Sequence, residues 1–154
     1  SAPAPGFSPS EQQARWLARP WLSAPAFVAT APLRLWPEIR RSLSSWRERI
    51  GFSAAQTARV IAAPLIPPLM ADRMHWADAI DFRSDCARIQ APALVITGEE
   101  DLDKVVPVSV TRRYTSLISG ARYEVIPGTG HIGMLTQPGR FAQIVGRFVH
   151  ANHH

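Results

Sequence analysis

A histidine in a glycine-rich turn is the residue of this chain best suited to catalysis. The segment Gly128-Thr129-Gly130-His131 follows a short β-like run. Its two glycines allow a tight turn that projects the imidazole ring from the end of a strand. Imidazole changes its protonation state near neutral pH, so it can take a proton from a nucleophile and return it to a leaving group. We therefore expect His131 to act as a general base.

A carboxylate to orient this histidine is available in an acidic loop after the preceding strand-like run. The acids of this loop are Glu99, Glu100, Asp101 and Asp103. Most of them are expected to be solvated, as in an ordinary surface turn. One carboxylate could orient His131 and stabilise the imidazolium that forms during catalysis. On the residues alone, both aspartates are candidates.

The composition is that of a globular chain, with 46% hydrophobic and 19% charged residues. The net charge of +5 comes mainly from dispersed arginines, so we expect no nucleic-acid partner. The lone Cys86 allows no internal disulfide and is expected to be a small, buried or half-buried apolar residue. We expect no cofactor and no metal site.

No membrane partner is expected either. The longest apolar stretch, residues 60–71, is broken by prolines and too short to span a bilayer. The N-terminal residues do not have the pattern of a signal peptide. The compartment is left open, and we favour the cytoplasm.

The first half of the chain predicts helices bounded by prolines, after a flexible arm over residues 1–7. A capping box at Ser8 starts a helix that ends near Ala18, before Pro20. The clearest amphipathic helix is predicted over residues 37–50. Three further features are predicted: Gly51 as the left-handed cap of that helix, a new helix from Ser53 to Pro64, and a helix over residues 69–80.

The second half alternates strand and helix patterns. The predicted order is a fully buried strand over residues 93–98, a helix over 109–118, a strand over 123–126 and a helix over 141–151. This order is typical of a parallel α/β sheet, in which functional groups follow the carboxyl ends of the strands. The acidic loop and the His131 loop both occupy that position.

The combination of these motifs resembles the C-terminal part of the α/β-hydrolase fold family. The matching residues are Ile89-x-Ala91-Pro92-Ala93-Leu94-Val95-Ile96-Thr97-Gly98, then Asp103-x-Val105-Val106-Pro107, then Pro127-Gly128-x-Gly130-His131. The resemblance covers roughly residues 81–151. It implies that the triad acid follows the penultimate core strand and that the histidine follows the last one. The Asp-x-Val-Val-Pro match favours Asp103 as the acid, while the spacing from Gly98 keeps Asp101 as an alternative.

The resemblance implies an α/β fold: the C-terminal part of a doubly wound, mostly parallel α/β-hydrolase sheet preceded by a helical cap. Residues 8–80 would form the cap or lid, and residues 81–154 the C-terminal part of the core. The large apolar side chains of the cap include Trp16, Trp21, Trp36, Trp46, Trp76, Met70 and Met74. A self-contained helical core explains most of them, and a few, chiefly within residues 64–74, could line an apolar substrate pocket.

The family's nucleophile motif, Gly-x-Ser-x-Gly, does not occur in the 154 residues. The resemblance therefore implies an esterase-like serine hydrolase whose Ser-Asp-His triad is completed by an associated N-terminal fragment carrying that motif. The expected substrate is a small apolar acyl compound. Two alternatives remain: Ser1 acts as an N-terminal nucleophile, or the chain is a non-enzymatic, basic helical binding module.

Overall fold

The computed structural model describes residues 15, 18–62, 69, 72 and 80–152. The elements within these residues are, in chain order, α1 (Pro20–Ser42), α2 (Trp46–Ala62), α3 (Phe82–Ala87), β1 (Leu94–Thr97), α4 (Val108–Arg112), α5 (Tyr114–Leu117), β2 (Arg122–Val125), α6 (Gly133–Thr136) and α7 (Pro138–Ala151). The predicted arm over residues 1–7 lies outside the described residues. Nearly all of the helices predicted over residues 8–18 and 69–80 lie outside them as well.

The two strands form a parallel pair, as the sequence predicts. Leu94 lies opposite Arg122, and Thr97 lies opposite Val125. The prediction that β1 is fully buried was wrong, because only Thr97 is buried and the other three residues of the strand are half-buried. Among the described residues β1 pairs only with β2, so its other edge has no strand partner there.

The prediction of one continuous helix over residues 37–50 was wrong. The chain leaves α1 after Ser42 and starts α2 at Trp46. Neither the predicted end at Gly51 nor the predicted start at Ser53 interrupts α2, which continues to Ala62. α1 also runs through Pro25, Pro32 and Pro37, which were expected to separate short segments.

A capping box accounts for the break between α1 and α2. The backbone N–H of Ser45 donates to the Glu48 carboxylate at 3.0 Å, and the Glu48 N–H donates to the Ser45 hydroxyl at 3.2 Å. The Arg49 guanidinium then donates to the carbonyls of Leu43 and Arg40, at 2.9 and 3.1 Å, near the end of α1. These contacts satisfy backbone groups that a continuous helix would have paired itself.

The helix predicted over residues 109–118 is divided into α4 and α5. The hydroxyls of Thr115 and Ser116 each donate to a backbone carbonyl in the preceding turn, both at 2.8 Å. Such side-chain bonds compete with the helical ladder and favour an interruption.

The last predicted helix is present as α7, which begins earlier than residue 141. Pro138 lies in its first turn, where the missing N–H has no cost. Ile144 is buried, and the other members of the predicted stripe, Phe141, Val145 and Phe148, are half-buried. Two short helices were not predicted, α3 and α6. α3 carries Cys86, which is buried as predicted.

The expected self-contained helical core does not account for the described tryptophans. Trp21 is 66% exposed and Trp46 is 60% exposed, while Trp36 contacts Trp46 edge to face. Their apolar surface is left uncovered by the described residues. Within that part of the chain, no helix is both long and apolar enough to cross a bilayer.

Candidate active site

Two loops meet at the carboxyl ends of the parallel strands. We call residues 98–103 the acid loop and residues 127–132 the histidine loop. The Glu99 N–H donates to the Thr129 carbonyl at 2.7 Å, and the Gly128 N–H donates to the Glu99 carboxylate at 2.8 Å. Glu99 is therefore not a solvated acid of a surface turn, because it ties the two loops together through both its backbone and its side chain.

Two glycines give the histidine loop its shape. Gly128 adopts a positive φ of 71°, a conformation that L side chains rarely occupy. A Cβ on Gly130 would lie 2.5 Å from the Leu102 carbonyl oxygen, so the two loops touch here backbone to backbone. Gly128 is thus required by its backbone conformation, and Gly130 is required by the approach of the two loops.

Asp103 and His131 lie side by side across this contact. The Oδ2 atom of Asp103 is 3.5 Å from Nδ1 of His131. The Asp103 side chain is 9% exposed, whereas the imidazole is 25% exposed. The separation is longer than an ordinary hydrogen bond between nitrogen and oxygen.

The other carboxylate oxygen of Asp103 accepts hydrogen bonds from the backbone that follows this residue. The N–H groups of Val105 and Val106 both donate to Oδ1 at 3.0 Å. Burial acts to raise the pKa of Asp103, but the His131 side chain and these two N–H groups outweigh it. The pKa of this carboxyl therefore lies below its ordinary value of 3.8. Asp103 is therefore a largely shielded, ionised acceptor beside Nδ1.

This arrangement suits a general base. A proton on Nδ1 that points at Asp103 leaves Nε2 as the acceptor on the opposite edge of the ring. The partial exposure of His131 leaves the ring accessible to a reacting group.

The structure separates the two candidate aspartates. Asp103 lies beside His131, whereas Asp101 is exposed, as is Glu100. Ser1, the alternative nucleophile, lies outside the described residues. So does nearly all of the stretch 64–74 that could line a substrate pocket.

Glu38 is a neighbour of the site that sequence reasoning did not find. Its side chain is fully buried, and its carboxylate oxygens accept the Ile132 N–H at 3.0 and 3.2 Å. Burial raises the pKa of Glu38, and the nearby Asp103 adds to this, while the Ile132 and Gly130 N–H groups and His131 oppose it. No local signal marks this acid, because its partners lie far along the chain.

A surface groove of about 580 Å³ lies elsewhere, between β2 and α7. Its lining includes Glu124, Arg140 and Arg147 and neither Asp103 nor His131. The groove is therefore separate from the histidine site.

Comparison with known proteins identifies the family of the chain. A family model described as "Alpha/beta hydrolase family" matches residues 2–144, which is most of the chain. The chain belongs to the alpha/beta hydrolase family. This confirms the family and the fold class predicted from the motifs.

Two known proteins illustrate the likeness. The chain is 28% identical to an epoxide hydrolase, EphH, of Mycobacterium tuberculosis (strain ATCC 25618 / H37Rv), over 94% of this chain and 73% of that protein. It also resembles a solved structure described as "Est816 as an N-Acyl homoserine lactone degrading enzyme". That match has a TM-score of 0.54 and 24% identity, and covers 92% of this chain. The chain spans about half the length of that structure, 52%, and the likeness shows the fold alone.

Proposed function

We propose that this chain supplies the acid and the histidine of a Ser-Asp-His triad in a hydrolase that cleaves an ester or a related acyl bond. The observation that carries the proposal is the 3.5 Å separation between the largely shielded Asp103 carboxylate and Nδ1 of the accessible His131. The pair lies at the carboxyl ends of two parallel strands, where this family carries its acid and histidine.

In the proposed reaction, Nε2 of His131 takes the proton of a serine hydroxyl as the serine oxygen attacks the acyl carbonyl. The same proton then passes to the leaving group as the acyl–serine ester forms. Water, deprotonated by His131, cleaves that ester and restores the serine. Asp103 keeps the Nδ1 proton in place throughout and stabilises the imidazolium.

The serine belongs to polypeptide outside the 154 residues, which we propose is an associated N-terminal fragment with the Gly-x-Ser-x-Gly motif. The edge of β1 that has no strand partner among the described residues supports this partner, because unpaired strand edges pair readily with further strands. The exposed apolar side chains of α1 and α2 support it as well, since surface of this kind marks contact sites. They include Trp21, Leu22, Leu33, Trp46 and Ile50.

An epoxide hydrolase is the second candidate, and it is favoured by the relative that carries that name. Opening an epoxide requires attack on an alkyl carbon, for which a carboxylate can replace the serine as nucleophile. His131 and Asp103 would then activate the water that releases the product. The two candidates therefore differ in the nucleophile and share the histidine site.

A substrate panel on the complete protein tests the proposal. The panel contains a p-nitrophenyl acyl ester, an N-acyl homoserine lactone and a styrene-type epoxide, each with wild-type protein and with His131→Ala. Turnover of the ester or lactone that His131→Ala removes is the expected result. Turnover of the epoxide alone would favour the second candidate, and activity that survives in His131→Ala would contradict both.

A further inference from the structure

Helix α1 reaches the histidine loop from outside the sheet. Glu38 and Ser42 are one helical turn apart, so they lie on the same face of α1. Ser42 donates from its hydroxyl to the Gly128 carbonyl at 2.7 Å. Glu38 accepts the Ile132 N–H. These two bonds hold the histidine loop on both sides of His131.

The contact leaves little freedom for the loop. Glu38 is fully buried. A Cβ on Gly130 would lie only 2.9 Å from the Oε2 atom of Glu38. Gly130 and Ile132 are the two chain neighbours of His131. A shift of this carboxylate therefore moves the backbone that carries the imidazole.

We propose that Glu38 is a positioning residue for His131. From α1, its carboxylate holds the backbone of the histidine loop and so sets the separation between His131 and Asp103. This inference rests on the proposed function only in taking His131 as the catalytic base. A helix expected to form part of a cap thereby becomes part of the support of the catalytic loop.

Charge adds to the positioning effect. The ionisable groups that act on Glu38 are Asp103 and His131. Asp103 raises the pKa of Glu38 and His131 lowers it, so the carboxylate interacts electrostatically with both members of the pair. Loss of Glu38 should therefore alter the environment of the ring as well as its position.

The test uses Glu38→Gln in the complete protein. Glutamine keeps the size of the side chain but turns one acceptor oxygen into a donor that faces backbone N–H groups. Glu124→Gln is the matched control, because Glu124 is exposed on β2 and the change of charge is the same. The readouts are the ¹⁵N NMR signals of the His131 ring, hydrogen exchange at the Ile132 amide, and kcat and KM measured separately.

In Glu38→Gln we expect the ¹⁵N signals of the His131 ring to shift from their wild-type positions. We expect hydrogen exchange at the Ile132 amide to be at least about tenfold faster than in the wild type. We also expect kcat to fall by roughly 10- to 100-fold with KM nearly unchanged, because the misplaced group acts in the chemical step. Glu124→Gln should match the wild type in every readout. A role in folding alone would lower thermal stability and leave the His131 signals of the folded protein as they were.

Wild-type His131 signals and kcat in folded Glu38→Gln would overturn the inference. If this variant does not fold, Glu38→Asp, which keeps the charge and shortens the reach, decides by the same NMR criterion. Failure of the proposed function is a separate outcome. A protein without hydrolase activity whose His131 signals still respond to Glu38 would retain the positioning contact and lose only the triad assignment.

Discussion

Gly98, at the end of β1, lies directly against the backbone of Gly130. A Cβ on Gly98 would be 2.5 Å from the Gly130 carbonyl oxygen and the same distance from that of Thr129. Real Cβ atoms do not approach oxygen atoms so closely. The acid loop and the histidine loop therefore meet through a contact that excludes any side chain at residue 98.

Gly98→Ala should destabilise the protein by about 2–3 kcal/mol, because the clash is with backbone that cannot rotate away. Gly51→Ala is the control, since residue 51 lies within α2 and no atom of the described residues comes within 4 Å of its Cβ position. Alanine there should stabilise the protein by roughly 0.5–1 kcal/mol. Urea unfolding of the two variants measures both effects. Equal effects would contradict the close contact between the loops.

Asp103→Asn should lower kcat by roughly 10⁴-fold, because an amide holds the wrong imidazole tautomer. The matched control is Asp101→Asn, which makes the same change at an exposed position in the same loop. It should keep nearly full activity. Steady-state kinetics of both variants, with a thermal melt to confirm folding, give the ranking. The reverse ranking would transfer the role of the acid to Asp101.

Asp103 and Glu38 should affect stability in opposite directions as the pH changes. The pKa of Asp103 in the folded protein is lowered. Its contribution to the free energy of unfolding is therefore present above pH 3.8 and is lost as the pH falls through the folded pKa. The pKa of Glu38 in the folded protein is raised. Its contribution to the free energy of unfolding is therefore present below pH 4.5 and is lost as the pH rises through the folded pKa.

Urea unfolding of the wild type, Asp103→Asn and Glu38→Gln between about pH 3 and 5 tests this expectation, below the range in which imidazole ordinarily titrates. The stability advantage of the wild type over Asp103→Asn should grow as the pH rises. Its advantage over Glu38→Gln should shrink over the same range. Slopes of the same sign would show that one of the two carboxyls is not in the environment described.

The strands and turns of the second half of the chain, where local sequence signals are strong, were largely predictable. The run Ala93-Leu94-Val95-Ile96 predicted β1, because β-branched residues ended by a glycine favour a buried strand. The glycines around Thr129 predicted the turn that carries His131. Even here the burial of β1 was overestimated, because burial depends on which strands lie alongside.

The helical half was predicted less well, because two local signals of opposite meaning compete there. The spacing of Ile39, Leu43, Trp46 and Ile50 favoured one continuous helix, whereas the Ser45–Glu48 capping box starts a new one. The capping box prevailed. Glu38 could not have been found at all, since its role depends on Ile132, a residue in a distant part of the sequence.

The most direct test of the central claim is labelling of the complete protein with a fluorophosphonate, followed by peptide mass spectrometry. The label should lie on the serine of a Gly-x-Ser-x-Gly motif outside these 154 residues. His131→Ala should slow labelling by at least roughly 10³-fold, while His150→Ala, at an exposed position of α7, leaves it unchanged. Labelling of Ser1, or a wild-type labelling rate in His131→Ala, would contradict the claim that Asp103 and His131 serve an external serine.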